Sequence, residues 1–146
     1  MIVAYIDGGA RGNPGPAGYG VRIESADGAL IDELHGALGI ATNNVAEYNG
    51  LLAALQWALD HGHVDLRIRS DSELLVKQMR GEYKVKHPGL QPLYIRARLL
   101  VMQLDGVVFE HVRREHNTEA DRLSNVAMDE AEERDKGEGR REKEKL

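Results

Sequence analysis

The sequence predicts an α/β domain built on a five-stranded mixed sheet, three antiparallel strands followed by two parallel ones, flanked by helices. Three observations carry this reading. An almost continuously apolar run, Ile2 to Ile6, opens the chain and meets a cluster of glycines. Apolar and polar residues then alternate, and from Val45 onward apolar residues return every three or four positions, with two short strand-like runs between the helical stretches. The resulting order, strand-strand-strand-helix-strand-helix-helix-strand-helix, suits one domain in a chain of 146 residues, long enough to bury its own core.

Taken in order, Ile2 to Asp7 reads as a buried strand with Asp7 at its carboxyl end. The glycines and prolines from Gly8 to Gly18 predict one tight connection, after which Tyr19, Val21 and Ile23 alternate with Gly20, Arg22 and Glu24 as a half-buried strand. Ala26-Asp27-Gly28 supplies a turn, and Leu30 to Leu38 completes an antiparallel meander. Tyr48, Leu51, Leu52, Leu55 and Leu59 mark a helix over Val45 to His61, with Asn43 and Asn44 as candidate N-caps. Leu66 and Ile68 mark a strand that ends at Ser70-Asp71, and Ser72 to Arg80 a short helix stopped by Gly81. A helix over Pro92 to Leu104, a strand over Val107 to Val112 and a last helix from Thr118 follow. Past Glu130 the chain is nearly devoid of apolar residues, which predicts a disordered charged tail over 131–146 behind a domain spanning 1–130.

Composition narrows the function classes. With no cysteine there is no disulfide scaffold, thiolate metal site or thiol nucleophile. No apolar run approaches the ~18 residues of a membrane span, and Met1 leads directly into the first strand without a basic leader, so a cytoplasmic protein with no membrane partner is expected. The net charge of −5 argues against a nucleic-acid partner at first sight. Its distribution argues otherwise: Lys77 to Arg98 holds six basic side chains against the single acidic Glu82, with Tyr83, His87 and Tyr94 interleaved.

Four carboxylates stand at element ends. Each has a structural explanation of its own: Asp7 bonding turn amides, Glu47 closing a capping box with Asn44, Asp71 capping a helix, Asp121 closing a box with Thr118. Together they suggest more, because Asp7 and Asp71 each end a strand where α/β crevices open, and Glu47 and Asp121 each lie in the first turn of a helix. If the four converge, they form a cluster that a cation must neutralise. All-oxygen ligation suits hard ions such as Mg²⁺ or Mn²⁺, and a pair of them suits phosphoryl transfer.

The motifs carrying these residues resemble the type 1 ribonuclease H family. Asp7-Gly8-Gly9 with Gly12 to Gly20 is similar to its opening strand and turn, and Thr42-Asn43-Asn44-Val45-Ala46-Glu47-Tyr48 to its first helix start. Ser70-Asp71-Ser72 resembles its second strand-helix junction, and Arg114 through Asn125 its last helix; the likeness spans roughly residues 1 to 130 in order. The resemblance implies the ribonuclease H fold and an endonuclease cutting the RNA strand of RNA-DNA hybrids by a two-metal-ion mechanism. Two divalent cations, Mg²⁺ or Mn²⁺, would be held by Asp7, Glu47, Asp71 and Asp121, and products would carry 5′-phosphate and 3′-hydroxyl ends.

The same resemblance implies contacts from Asn13, Asn43 and Asn44 to the RNA strand, whose 2′-hydroxyl distinguishes it from DNA. Many members carry an extra helix and basic loop with tryptophans; here Gly81 to Pro88 stands in its place and the single tryptophan, Trp57, lies elsewhere, as in the branch without that handle. Lys84 and Lys86 are the remaining candidates for that role. A mobile histidine stands about ten residues before the last aspartate in many members; here His116 precedes Asp121 by five and Arg114 by seven, and either is a candidate for contacting the scissile phosphate or aiding product release. The alternative is a non-catalytic module of the same fold that binds hybrids or structured RNA. A monomer is expected, since no surplus apolar helix face asks for a partner.

Overall fold

The computed structural model describes the backbone of residues 1–145 and the side chains of residues 1–137. In chain order the elements are β1 (Ile2–Ala10), β2 (Gly15–Ser25), β3 (Leu30–Ala41), α1 (Asn43–Asp60), β4 (Asp65–Ser70), α2 (Glu73–Met79), α3 (Gln91–Met102), β5 (Gly106–His111), a 3-10 turn (Arg114–His116) and α4 (Thr118–Lys145). The strands lie in the order β3-β2-β1-β4-β5, antiparallel across β3, β2 and β1 and parallel across β1, β4 and β5. This is the expected mixed sheet of three antiparallel and two parallel strands.

Alternation along β1 divides the molecule into two layers. Ile2, Ala4 and Ile6 point to one face and join Leu51, Leu55, Leu66, Ile68 and Leu100 in the main core with α1, α2 and α3. The odd-numbered residues of β1 point to the other face, where α4 lies across β1, β2 and β3. Its buried stripe, Ala120, Leu123, Ala127, Met128 and Ala131, has helical spacing.

Two expectations need correction. First, β1 does not end at Asp7: it runs on to Ala10 and pairs with β2 as far as Ala10↔Ala17, so the hairpin loop is only Arg11–Pro14. Gly8, Gly9, Gly15 and Gly18 are therefore strand residues, and their missing side chains serve close packing instead of turning the chain.

Second, the caps are not the expected residues. Thr42 caps α1, its hydroxyl accepting from the Val45 N–H at 3.3 Å, so Asn43 and Asn44 fall inside the first turn. Ser72, not Asp71, caps α2, accepting from Leu75 N–H at 3.2 Å.

The last helix, α4, runs from Thr118 to Lys145 and so crosses residue 130, where the sequence reading ends the domain. The first turn past the expected boundary has anchors that its composition conceals. Ala131 is 1% exposed, and Glu132 lies 3.2 Å from Arg11.

Candidate active site

Strand register begins the site. The parallel pairing of β1 with β4 ends at Ile6↔Ser70, so Asp7 and Asp71 are the next residues on two adjacent strands leaving the same edge. Two glycines bring the helices to them. A Cβ on Gly8 would sit 2.3 Å from the Ala46 carbonyl carbon and 2.4 Å from the Glu47 nitrogen, so only glycine lets the first turn of α1 rest on β1. Gly20, which pairs with Asp7 from β2, does the same for α4: a Cβ there would lie 2.4 Å from Ala120 O and 2.5 Å from Ser124 N. Glu47 and Asp121 are thereby carried to Asp7 from opposite faces of the sheet.

Asp7, Glu47, Asp71 and Asp121 border one cavity of about 470 Å³, together with Arg11, Asn43 and Arg114. Two buried polar residues of α4 and its approach fix the carboxylates. Ser124, 1% exposed, donates from Oγ to Asp7 Oδ2 at 3.2 Å and lies 2.8 Å from the Asp121 carbonyl. Asn117, also 1% exposed, donates from Nδ2 to the Ile6 carbonyl at 2.9 Å, which holds the start of α4 against the last paired residue of β1.

The electrostatics are those of a crowded anion site. Burial, with Asp71 and Asp121 beside it, pushes Asp7 up to about 8, against a small opposing contribution from the Gly8 N–H. Glu47 is pushed up to about 7, again chiefly by burial and then by Asp71, with Ser72 and Arg114 opposing. Burial also raises Asp71, while Asn117, Arg114 and His111 hold the rise down. Among the described residues no three acidic or histidine side chains already close around a single point as metal ligands do. The carboxylates share a cavity without forming a cage, and with hard oxygen donors on three sides and disfavoured anionic forms they fit divalent cations that would draw them in.

A reverse transcriptase-like family model matches residues 5–127. A bifunctional protein of Mycobacterium tuberculosis is 50% identical over 131 residues, covering 89% of this chain and 36% of the relative; this chain thus spans about a third of that protein's length. The crystal structure of RNase H1 from the halophilic archaeon Halobacterium salinarum superposes with a TM-score of 0.85 at 43% identity, covering 88% of this chain and 98% of that one. This chain belongs to the ribonuclease H family, type 1. Another member of known structure, LC11-RNase H1 in complex with an RNA/DNA hybrid, has a TM-score of 0.86 and 43% identity, covering 90% and 99% of the two chains.

Within this ribonuclease H fold the other sequence-derived candidates divide. Arg114 borders the carboxylate cavity, but His116 does not: it faces separate cavities on the far side of the 3-10 turn with Tyr5. Asn43 Oδ1 accepts from Ala10 N–H at 2.8 Å and Asn13 Oδ1 accepts from Asn43 N–H at 3.0 Å, so both asparagine oxygens are used internally and their amide NH₂ groups are what the turn can present. Asn44 is exposed beside them. Lys84 and Lys86 lie apart, around a cavity with Leu74, Glu82 and Tyr83.

Sequence reasoning did not single out Asn117, Ser124 or Arg11. The guanidinium of Arg11 reaches α4 at Asp129 (2.5 Å), Glu132 (3.2 Å) and Asn125 Oδ1 (3.3 Å), fastening the β1–β2 turn to the helix that carries Asp121. The spacing of Asn117 four residues before Asp121 and of Ser124 three after it, on one helical face, is the signal that would have found those two.

Proposed function

We propose that this protein is a metal-dependent endonuclease that hydrolyses the RNA strand of RNA-DNA hybrids. The observation that supports it most is the meeting of Asp7, Glu47, Asp71 and Asp121 at one cavity, from two strand ends and two helix starts. Family membership and the hybrid bound by LC11-RNase H1 agree with it.

In this reading the four carboxylates hold two divalent cations, Mg²⁺ or Mn²⁺, which supply Lewis-acid activation of water and neutralise charge on the departing oxygen. The chain's own residues do the rest. Ser124 fixes the rotamer of Asp7, and Asn117 holds the start of α4 on the end of β1, before substrate arrives, so little reorganisation is left for the reaction. Arg114, the cation facing Glu47 and Asp71, is placed to meet a non-bridging phosphate oxygen. The amide NH₂ groups of Asn13 and Asn43, with exposed Asn44, offer donors to the 2′-hydroxyl and minor-groove edge that distinguish RNA. Water attacks phosphorus and the 3′-oxygen leaves, giving 5′-phosphate and 3′-hydroxyl ends.

The test is cleavage of an end-labelled RNA strand, paired with DNA, paired with RNA, or alone, in Mg²⁺, in Mn²⁺ and in chelator. Cutting confined to the hybrid and abolished by chelator is the expected result. Binding of the hybrid without cutting in either metal would overturn the enzyme and leave a recognition module.

A further inference from the structure

The half of the sheet that α4 does not cover carries a second cationic site. Cross-strand register sets Arg22, Tyr5, Arg69 and Glu110 side by side across β2, β1, β4 and β5 on that face. One row away, Arg67 pairs with Val108, which is 51% exposed. Above this surface a cavity of about 530 Å³ is lined by Tyr5, Arg69, His111, Val112, Arg113 and His116. Two of its six lining residues are arginines, two are histidines and none is acidic, in a chain whose net charge is −5 with histidine neutral.

The wall is ordered before any ligand arrives. Arg69 Nη1 donates to Tyr5 Oη at 2.7 Å and its guanidinium lies 5.4 Å from the Tyr5 ring centroid. The nearest acid, Glu110, is engaged by Arg67 at 3.2 Å and sits 3.9 Å from Arg69, so it neutralises part of that pair only. The guanidinium of Arg113 has neither an ion-pair nor a hydrogen-bond partner among the described residues, although its neighbours on β4 and β5 are paired.

The site is joined to the catalytic cavity by a single short element. Arg114 of the 3-10 turn faces the carboxylates, while Arg113 and His116 on either side of it face the cationic cavity. A polyanion held at one site is therefore led past the other. We infer that the Tyr5–Arg69–Arg113 surface binds phosphodiester backbone of the nucleic acid that continues beyond the catalytic cavity, at a place distinct from the Lys84–Lys86 loop. Forked guanidiniums match phosphate oxygens, and the absence of any carboxylate from the wall removes the repulsion that the catalytic cavity would impose on bare phosphate. This inference rests on the nucleic-acid reading above and adds to it a second binding surface.

The experiment is a salt titration of hybrid binding in chelator, by fluorescence anisotropy, for the parent, Arg113→Gln, the double variant Arg69→Gln with Arg113→Gln, and Lys84→Ala with Lys86→Ala. Arg113→Gln breaks no side-chain hydrogen bond or ion pair among the described residues, so it tests the site even where Arg69→Gln unsettles Tyr5; thermal melts of all variants accompany the titration. Removing one cation from a phosphate should lower the slope of log K against log salt by about 1, so the double variant should lose about 2 and bind roughly tenfold or more weakly at low salt. In Mg²⁺ its KM should rise by a similar factor with kcat unchanged. An unchanged slope and KM in both Arg variants, or no hybrid binding by the parent at low salt, overturns the inference. A lowered slope in a protein that cuts nothing would sustain this surface and sink the nuclease instead.

Discussion

Replacing Asp7 by Asn should stabilise the metal-free protein at neutral pH while destroying the function proposed for it. The folded protein pushes Asp7 from 3.8 up to about 8, through burial first and Asp71 next. Between those two values the native state carries a proton that the unfolded chain has already released. The free energy of unfolding therefore falls as pH rises through this window, by up to ~1.4 kcal/mol per pH unit, and flattens above about pH 8. Summed to pH 7, roughly three units above the unfolded value, the penalty has a ceiling of about 4 kcal/mol. The carboxylates can relax apart and water can reach the site, so a gain of about 1–3 kcal/mol is the expectation for the variant. At this chain length that is a rise of several degrees, about 2–4 °C per kcal/mol. Asn retains an oxygen for the Gly8 N–H and an amide for Ser124 Oγ, so both hydrogen bonds can persist. Thermal melts in chelator at pH 5 and pH 8 are the assay: the variant should lead clearly at pH 8, much less at pH 5, and the parent should close the gap when Mg²⁺ is added. A variant no more stable than the parent at pH 8, or one with the same lead at both pH values, would refute the account of Asp7 as a carboxylate strained by its neighbours.

Four further outcomes are expected. Asp71→Asn should lower Mg²⁺-dependent hybrid cleavage by more than a hundredfold; a rate within about tenfold of the parent, roughly 1.4 kcal/mol in barrier, rules out its role as a central ligand. Arg114→Gln should slow single-turnover cleavage by about tenfold or more, as removal of a charge-assisted hydrogen bond does, whereas His116→Gln should leave that rate nearly unchanged, and the reverse order would transfer the role to His116. Deleting residues 137–146 should leave the melting temperature within a few degrees, while Asp129→Asn with Glu132→Gln, which releases Arg11, should cost about 0.5–1 kcal/mol in this partly exposed network; an unaltered melt in the double variant would make the Arg11 fastening idle. Gly20→Ala should destabilise by about 1–3 kcal/mol, since its Cβ meets α4 backbone that cannot yield cheaply, and circular dichroism melts would expose a neutral outcome.

The order of elements and the sheet's composition were legible because hydrophobic period changes cleanly from two to three-and-four after Ala41. The glycines were the main source of error. Read locally, Gly8 to Gly18 is punctuation, and a turn is the natural inference. In the fold, Gly8, Gly18 and Gly20 lie in strands and mark where helix backbones press on the sheet, which becomes visible only when α1 and α4 are in place. The contacts of α4 just past residue 130 were hidden for a related reason. Low hydrophobicity over a whole segment hides the one alanine, Ala131, that extends the stripe of α4, and the one arginine, Arg11, that sits more than a hundred residues away in sequence and holds Asp129 and Glu132. Long-range pairing of this kind leaves no trace in local composition.

The four carboxylates were legible as a set and ambiguous one by one, and the structure gives the local duties of three of them to other residues. Thr42 caps α1, so Glu47 is not needed there; Ser72 caps α2, so Asp71 is not. The β1–β2 turn is closed by the Arg11 N–H to Pro16 carbonyl bond and tied to α1 by the Ala10 N–H to Asn43 Oδ1 and Asn43 N–H to Asn13 Oδ1 bonds, none of which uses Asp7. The local duties that might have accounted for these three acids are performed by neutral side chains beside them. What remains is a group in which burial first, and neighbouring carboxylates next, raise the proton affinity of Asp7, Glu47 and Asp71, a cost to the fold while it is uncompensated. In the proposed function the bound cations offset that cost, and Gly8 and Gly20, by admitting the backbones of α1 and α4, keep Glu47 and Asp121 beside Asp7.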